Sequence, residues 1–134
     1  MTSWGETGCI VGTAAALENS DVVFSQYREM SLLYYRGYTI KEITDNCSGN
    51  HFDTVKGRQM PIHFTCKDLG MMSVSSPLAT QISQAAGYGY ALHQDKEDSI
   101  SVVFFGEGAA SEGDFYAGIN FAQTLGGNTL FICR

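Results

Sequence analysis

Proline is scarce in this 134-residue chain, occurring only at positions 61 and 77. No Gly/Ser-rich, low-complexity or repeated tract takes its place as a divider, so nothing marks an interdomain linker. Positive charge is also in short supply. Eight Lys and Arg stand against fourteen Asp and Glu, a formal net charge of -6, which argues against a nucleic-acid or anionic-membrane surface, since both need a clustered basic excess. No apolar run approaches the ~18 residues of a membrane span, and MTSWGETGC at the start carries neither a basic nor an Arg-rich leader pattern. The cysteines at 9, 47, 66 and 133 form no CxxC pair and have no histidine at metal-ligand spacing. A zinc site is therefore not expected, and the thiols are read as reduced and mostly buried, as in an intracellular protein. What remains is one globular domain, or a large piece of one, whose partner is a small molecule or another protein.

Periodicity divides the chain into elements. GCIVGTAAALENSD reads as a short helix closed by Asn19 and Ser20, and VVFSQYRE as an extended segment. Met30, Leu33, Tyr34, Ile40, Ile43 and Cys47 recur at three- and four-residue spacings, which fits two helices broken at Gly37. Residues 48–73 lose periodicity and read as a long ordered loop, a kind of segment that tends to be functional. Ser76 is a good N-cap and Pro77 suits a first helical position, with Leu78, Ile82, Ala85 or Ala86, and Gly89 sharing one small-residue face. SISVVFF is a buried strand. Ser111 with Asp114 makes a capping-box-like start for a helix running to Leu125, Gly126 and Gly127 end it, and NTLFIC is the next strand. The fold class expected is α/β, a parallel sheet with flanking helices built on a right-handed βαβ unit. LFICR is a strand-like finish with little to cap it, so truncation is expected.

Between that strand and helix stands GEGAASEG, residues 106–113. Glycines at a strand-to-helix turn describe a phosphate cradle at the carboxyl end of a parallel strand. Glu107 then repels the anion it accompanies, unless a divalent cation lies between carboxylate and phosphate. A dinucleotide fingerprint fits less well, because the third glycine is Gly113 and Arg134 stands where an acidic residue belongs. A plain tight turn with a solvent-facing acid remains the bland alternative.

GEG-x-x-x-EG followed by an apolar strand resembles the opening of the thiamin-diphosphate motif, whose closing Asn pair would fall just past Arg134. More widely, QYRE at 26–29, KGRQMPIH at 56–63, SSPLATQ at 75–81, FGEGAASEGD at 105–114 and FICR at 131–134 are similar, in order and spacing, to the alpha subunits of branched-chain 2-oxo acid dehydrogenases. Pyruvate-specific relatives usually carry GDGAANQG at the central motif.

The resemblance implies a thiamin-diphosphate-binding fold and a set of roles. Glu107 would be a magnesium ligand, and the backbone of Gly108 and Ala109 would face the diphosphate. Tyr27, Arg28 and Arg134 would donate to its oxygens, as suits a guanidinium fork. Ser76 and Leu78 would approach the cofactor, while Ser75, Pro77, Thr80 and Gln81 would hold a potassium ion. His63 matches no catalytic position and is read as a loop histidine without an assigned role. The resemblance further implies an α2β2 assembly whose activating carboxylate comes from the beta subunit, a lipoyl-bearing acyltransferase core as acyl acceptor, and a mitochondrial matrix location with any transit peptide lying upstream. Residues 1–134 would then be a partial domain, incomplete at both ends and inactive by itself. A pyruvate or acetoin dehydrogenase subunit, a non-catalytic interaction module, and an NADP-binding domain using Arg134 are the alternatives.

Overall fold

The computed structural model describes residues 3–134. Its centre is a three-stranded parallel sheet in the order β1-β2-β3, with β1 at Val22–Phe24, β2 at Ser101–Phe105 and β3 at Thr129–Cys133. Val22 pairs with Ser101 and Phe24 with Val103, while Ser101 pairs with Thr129 and Phe105 with Cys133. The expected parallel α/β architecture is present.

Strand β2 is buried along its whole length, and its alternation feeds both faces of the sheet. Val102 and Phe104 join Val23 and Ile132 in one cluster, built with Ile10, Leu32, Leu33, Tyr38 and Met71. Val103 and Phe105 join Val22, Phe24 and Phe131 in the other, with Ile82, Ala85 and Ala109. The first cluster is covered by α1 (Thr7–Ala16) and α2 (Met30–Tyr35), the second by α4 (Thr80–Asp95). Helix α6 (Gly113–Leu125) packs on α4, where a Cβ on Gly118 would lie 2.7 Å from Ile82 Cγ2. Helix α3 (Ile40–Ser48) follows α2 after a break at Gly37, whose φ of 105° ends the first helix as expected. Residues 49–73 form the long loop, with one 3-10 turn at Lys67–Leu69. Arg36 anchors that loop by donating to the carbonyls of Glu18, Asp21 and Leu69 at 2.9–3.0 Å.

Four local expectations are corrected. Helix α4 begins at Thr80 behind Ala79, which takes φ 67°, so Ser76 and Pro77 lie in the preceding turn; the Ser76 hydroxyl is engaged by His63 instead of capping a helix. Helix α6 starts behind Glu112 with no side-chain cap, because Ser111 turns back to the Glu107 carbonyl at 3.1 Å. The extended run around VVFSQYRE is a strand only to Phe24, since Glu29 draws in the amides of Gln26 and Arg28 and folds the chain over. Finally, Cys9, Cys47 and Cys133 are exposed and Cys66 alone is buried. Burial pushes the Cys66 thiol pKa up, so it stays protonated and inert.

Candidate functional site

The carboxyl ends of β1, β2 and β3 open onto one cavity of about 220 Å³. Its lining comes from five places in the sequence: Glu6 ahead of α1, Gln26, Tyr27 and Arg28 after β1, Leu78 in the turn before α4, Gly106 to Ala109 after β2, and Arg134 after β3. Parallel strands deliver their following loops to the same edge, which is why segments so far apart in the chain converge there. Gly106 leads into the four-residue helix α5 (Glu107–Ala110). A Cβ at Gly108 would make an ordinary contact with Leu78 Cδ1 at 3.4 Å, so the two loops lie side by side here.

Charge in the cavity is organised by two acids. Glu29 has no exposed surface; its Oε2 accepts the amides of Gln26 and Arg28 at 3.0 and 3.1 Å, and its Oε1 accepts Arg134 Nε and Nη2 at 2.7 and 2.6 Å. A buried carboxylate with four donors around it is compensated, and it fixes both the 26–28 turn and the Arg134 side chain. Glu6 bridges the two guanidiniums, taking Arg28 Nη1 at 3.1 Å and Arg134 Nη1 at 2.7 Å. Gln26 is buried, with its Oε1 accepting from Gln81 Nε2 at 3.2 Å and its own Nε2 without a partner among the described residues.

Of the residues singled out in the sequence, Tyr27, Arg28, Leu78, Glu107, Gly108, Ala109 and Arg134 come together in this lining. Ser76 is not in it. Its hydroxyl lies 2.7 Å from His63 Nε2, and because His63 Nδ1 faces the Pro61 carbonyl at 3.1 Å, an acceptor only, Nδ1 carries the proton and Nε2 accepts from Ser76. Ser75, Pro77 and Thr80 lie in and after the turn before α4. Gln81 is buried beside them, donating to the Phe104 carbonyl while its Oε1 has no partner among the described residues. Sequence reading passed over Glu6, Gln26 and Glu29. The last two were visible as the flanks of QYRE, whereas Glu6 sits in a stretch with no motif of its own.

Among the described residues no three His, Cys, Asp or Glu side chains cluster as a metal site. A magnesium ion here would take Glu107 and phosphate oxygens, the mixed donor set that ion favours. The donors around the cavity suit a diphosphate: the guanidiniums of Arg28 and Arg134.

A profile of the family described as "Dehydrogenase E1 component" matches residues 1–134. Over the whole chain it is 52% identical to the mitochondrial 2-oxoisovalerate dehydrogenase subunit alpha of Homo sapiens, of which it spans 30%. It is 50% identical to the corresponding subunit of Dictyostelium discoideum, again spanning 30%. With the subunit alpha 1 of Arabidopsis thaliana the identity is 49%, over 28% of that protein. The chain thus covers about a third or less of the curated relatives it matches.

Proposed function

The chain belongs to the dehydrogenase E1 component family, and from that premise we propose that it forms the diphosphate-binding part of the alpha subunit of a branched-chain 2-oxo acid dehydrogenase. Thiamin diphosphate with magnesium would be the cofactor, and it supplies the electron sink for decarboxylating a 2-oxo acid whose acyl group passes to lipoyl. A beta subunit, a lipoyl-bearing acyltransferase core and the mitochondrial matrix complete the proposal; that the relatives are named as alpha subunits and as mitochondrial supports the first and the last of these.

The observation that carries this reading is the meeting of Glu107 with Arg28 and Arg134 in one cavity. Arg28 and Arg134 bind phosphate oxygens as charge-assisted donors, Tyr27 adds a neutral one, and the backbone of Gly108 and Ala109 faces the diphosphate. Glu107 holds the magnesium that turns its repulsion of phosphate into an attraction. Leu78 supplies an apolar wall. Potassium in the turn of Ser75, Pro77, Thr80 and Gln81 is supported by the unpartnered Gln81 Oε1, a buried acceptor that a cation would satisfy.

Calorimetry on the full-length alpha subunit assembled with beta tests the cofactor role. Glu107→Gln keeps the shape and removes the charge, so magnesium-dependent thiamin-diphosphate affinity is expected to fall about ten-fold, or about 1.4 kcal/mol. Equal affinity in the two proteins would remove the metal role, and binding of NADP by the wild type would turn the reading toward a dinucleotide site.

A further inference from the structure

The cavity's charges do not add up to an anion site as they stand. Arg28 and Arg134 are the cations, Glu6 and Glu107 line the cavity against them, and Glu29, buried outside the lining, holds Arg134 from behind. Magnesium at Glu107 corrects the balance only in part, because Glu6 still lies on the Nη1 atoms of both arginines. A phosphate coming to those guanidiniums meets a carboxylate already on the same donors.

The two remaining acids differ in how firmly they are held. Glu29 is fully buried, with four donors from the backbone and Arg134; moving it would unmake the 26–28 turn. Glu6 is a quarter exposed at its side chain. It occupies the N-cap position of α1 yet its side chain caps nothing, so among the described residues its oxygens serve the arginines alone, and its departure removes no helix cap. An exit to solvent and no second duty among the described residues make it the replaceable partner.

We propose that Glu6 is an internal competitor for the ligand's phosphate oxygens, a carboxylate that exchanges places with them on Arg28 and Arg134. The inference rests on the diphosphate reading above. It assigns Glu6 a positioning role: it keeps two neighbouring guanidiniums compensated and aimed, and it weakens binding of the diphosphate so that only a magnesium-loaded, multiply charged anion wins the exchange. A monovalent carboxylate gains nothing over Glu6, which gives the site a selectivity for di- and triphosphate esters over organic acids.

The test uses magnesium pyrophosphate and the full-length alpha and beta assembly. By calorimetry, Glu6→Gln is expected to bind pyrophosphate about ten-fold more tightly than wild type. In thermal melts Glu6→Gln should unfold at a lower temperature than wild type without pyrophosphate and together with it at saturation, because Glu6 contributes only where phosphate does not. Glu6→Asp, whose carboxylate is one methylene too short to span both arginines, should shift affinity the same way by a smaller factor, and it decides the sign if the glutamine variant does not fold. Unchanged or weaker binding in the variants, with wild type binding normally, would overturn the exchange and leave Glu6 as scaffold. Failure of wild type and variants alike to bind pyrophosphate would overturn the diphosphate reading and this inference with it.

Discussion

Close approach, rather than chain flexibility, explains the glycine at position 89. A Cβ there would run into Thr129 and come within 2.9 Å of the Asn128 carbonyl, because α4 lies directly on the turn that starts β3. Asn128 also donates its amide to the Gly89 carbonyl at 3.0 Å, so the contact cannot slide apart without losing that bond. Two residues earlier, Gly87 has open space on all sides. Gly89→Ala is therefore expected to cost about 2 kcal/mol through forced displacement of backbone. Gly87→Ala should be neutral or stabilise by up to about 1 kcal/mol, since alanine lowers the entropy lost in a helix interior. Urea melts of the two variants check this, and equal effects would remove the packing argument.

Helix α3 shows what a short element needs in order to form. Thr39 Oγ1 accepts the Glu42 amide at 3.2 Å, and the Glu42 carboxylate takes the Thr39 amide at 2.7 Å and its hydroxyl at 2.6 Å, a complete capping box. The Thr39 hydroxyl and then its amide hold the Glu42 carboxyl below its ordinary 4.5. With a depressed folded pKa, the stabilisation is present above 4.5 and is lost as pH falls through the lowered value. Thr39→Ala should cost about 1 kcal/mol at pH 7, and the gap to wild type should narrow at pH 3.5; a gap independent of pH would mean that the ionised acid contributes nothing. The same contrast of scales explains what was legible in the sequence. The strand-helix-strand run from Ser101 to Cys133 and the break at Gly37 are local patterns, and they appear as expected. Contiguous motifs delivered Tyr27, Arg28, Glu107 and Arg134 to one cavity. Ser76 failed as a cap because His63, thirteen residues away, claims its hydroxyl, and Ser111 failed because its own helix turn offers a carbonyl. Glu6 was illegible for the same reason at longer range: its partners are 22 and 128 residues distant, and no periodicity carries that information.

At the scale of the whole molecule the two edges of the sheet are unequal. The outer side of β1 is covered by the loop, where Val23 donates to the Gly70 carbonyl and accepts from the Met72 amide. On its outer side β3 has no such neighbour among the described residues, and Leu130 on it is exposed, as are Tyr116, Phe121 and Leu125 on α6. An open parallel edge beside exposed apolar side chains is a template for pairing with another chain. The 134-residue chain of this sequence expressed by itself is expected to self-associate at micromolar concentrations, and Leu130→Lys to reduce it. Sedimentation velocity checks both, and a monodisperse wild-type monomer across the concentration range would count against an active edge.

The buried Glu29 sets a clock on biosynthesis. Its guanidinium partner lies 105 residues further on, a stretch that a ribosome makes in roughly 5–20 s. Until then a Glu29 drawn inward would have the amides of Gln26 and Arg28 as partners but not its guanidinium counter-charge, which disfavours closing the 26–29 turn. The full lining of the cavity can therefore be assembled only after Arg134 has been made. Slow or stalled translation would prolong the interval in which the sheet's apolar faces have no lid of charge at their carboxyl end, and it is in that interval that chaperones would find the chain.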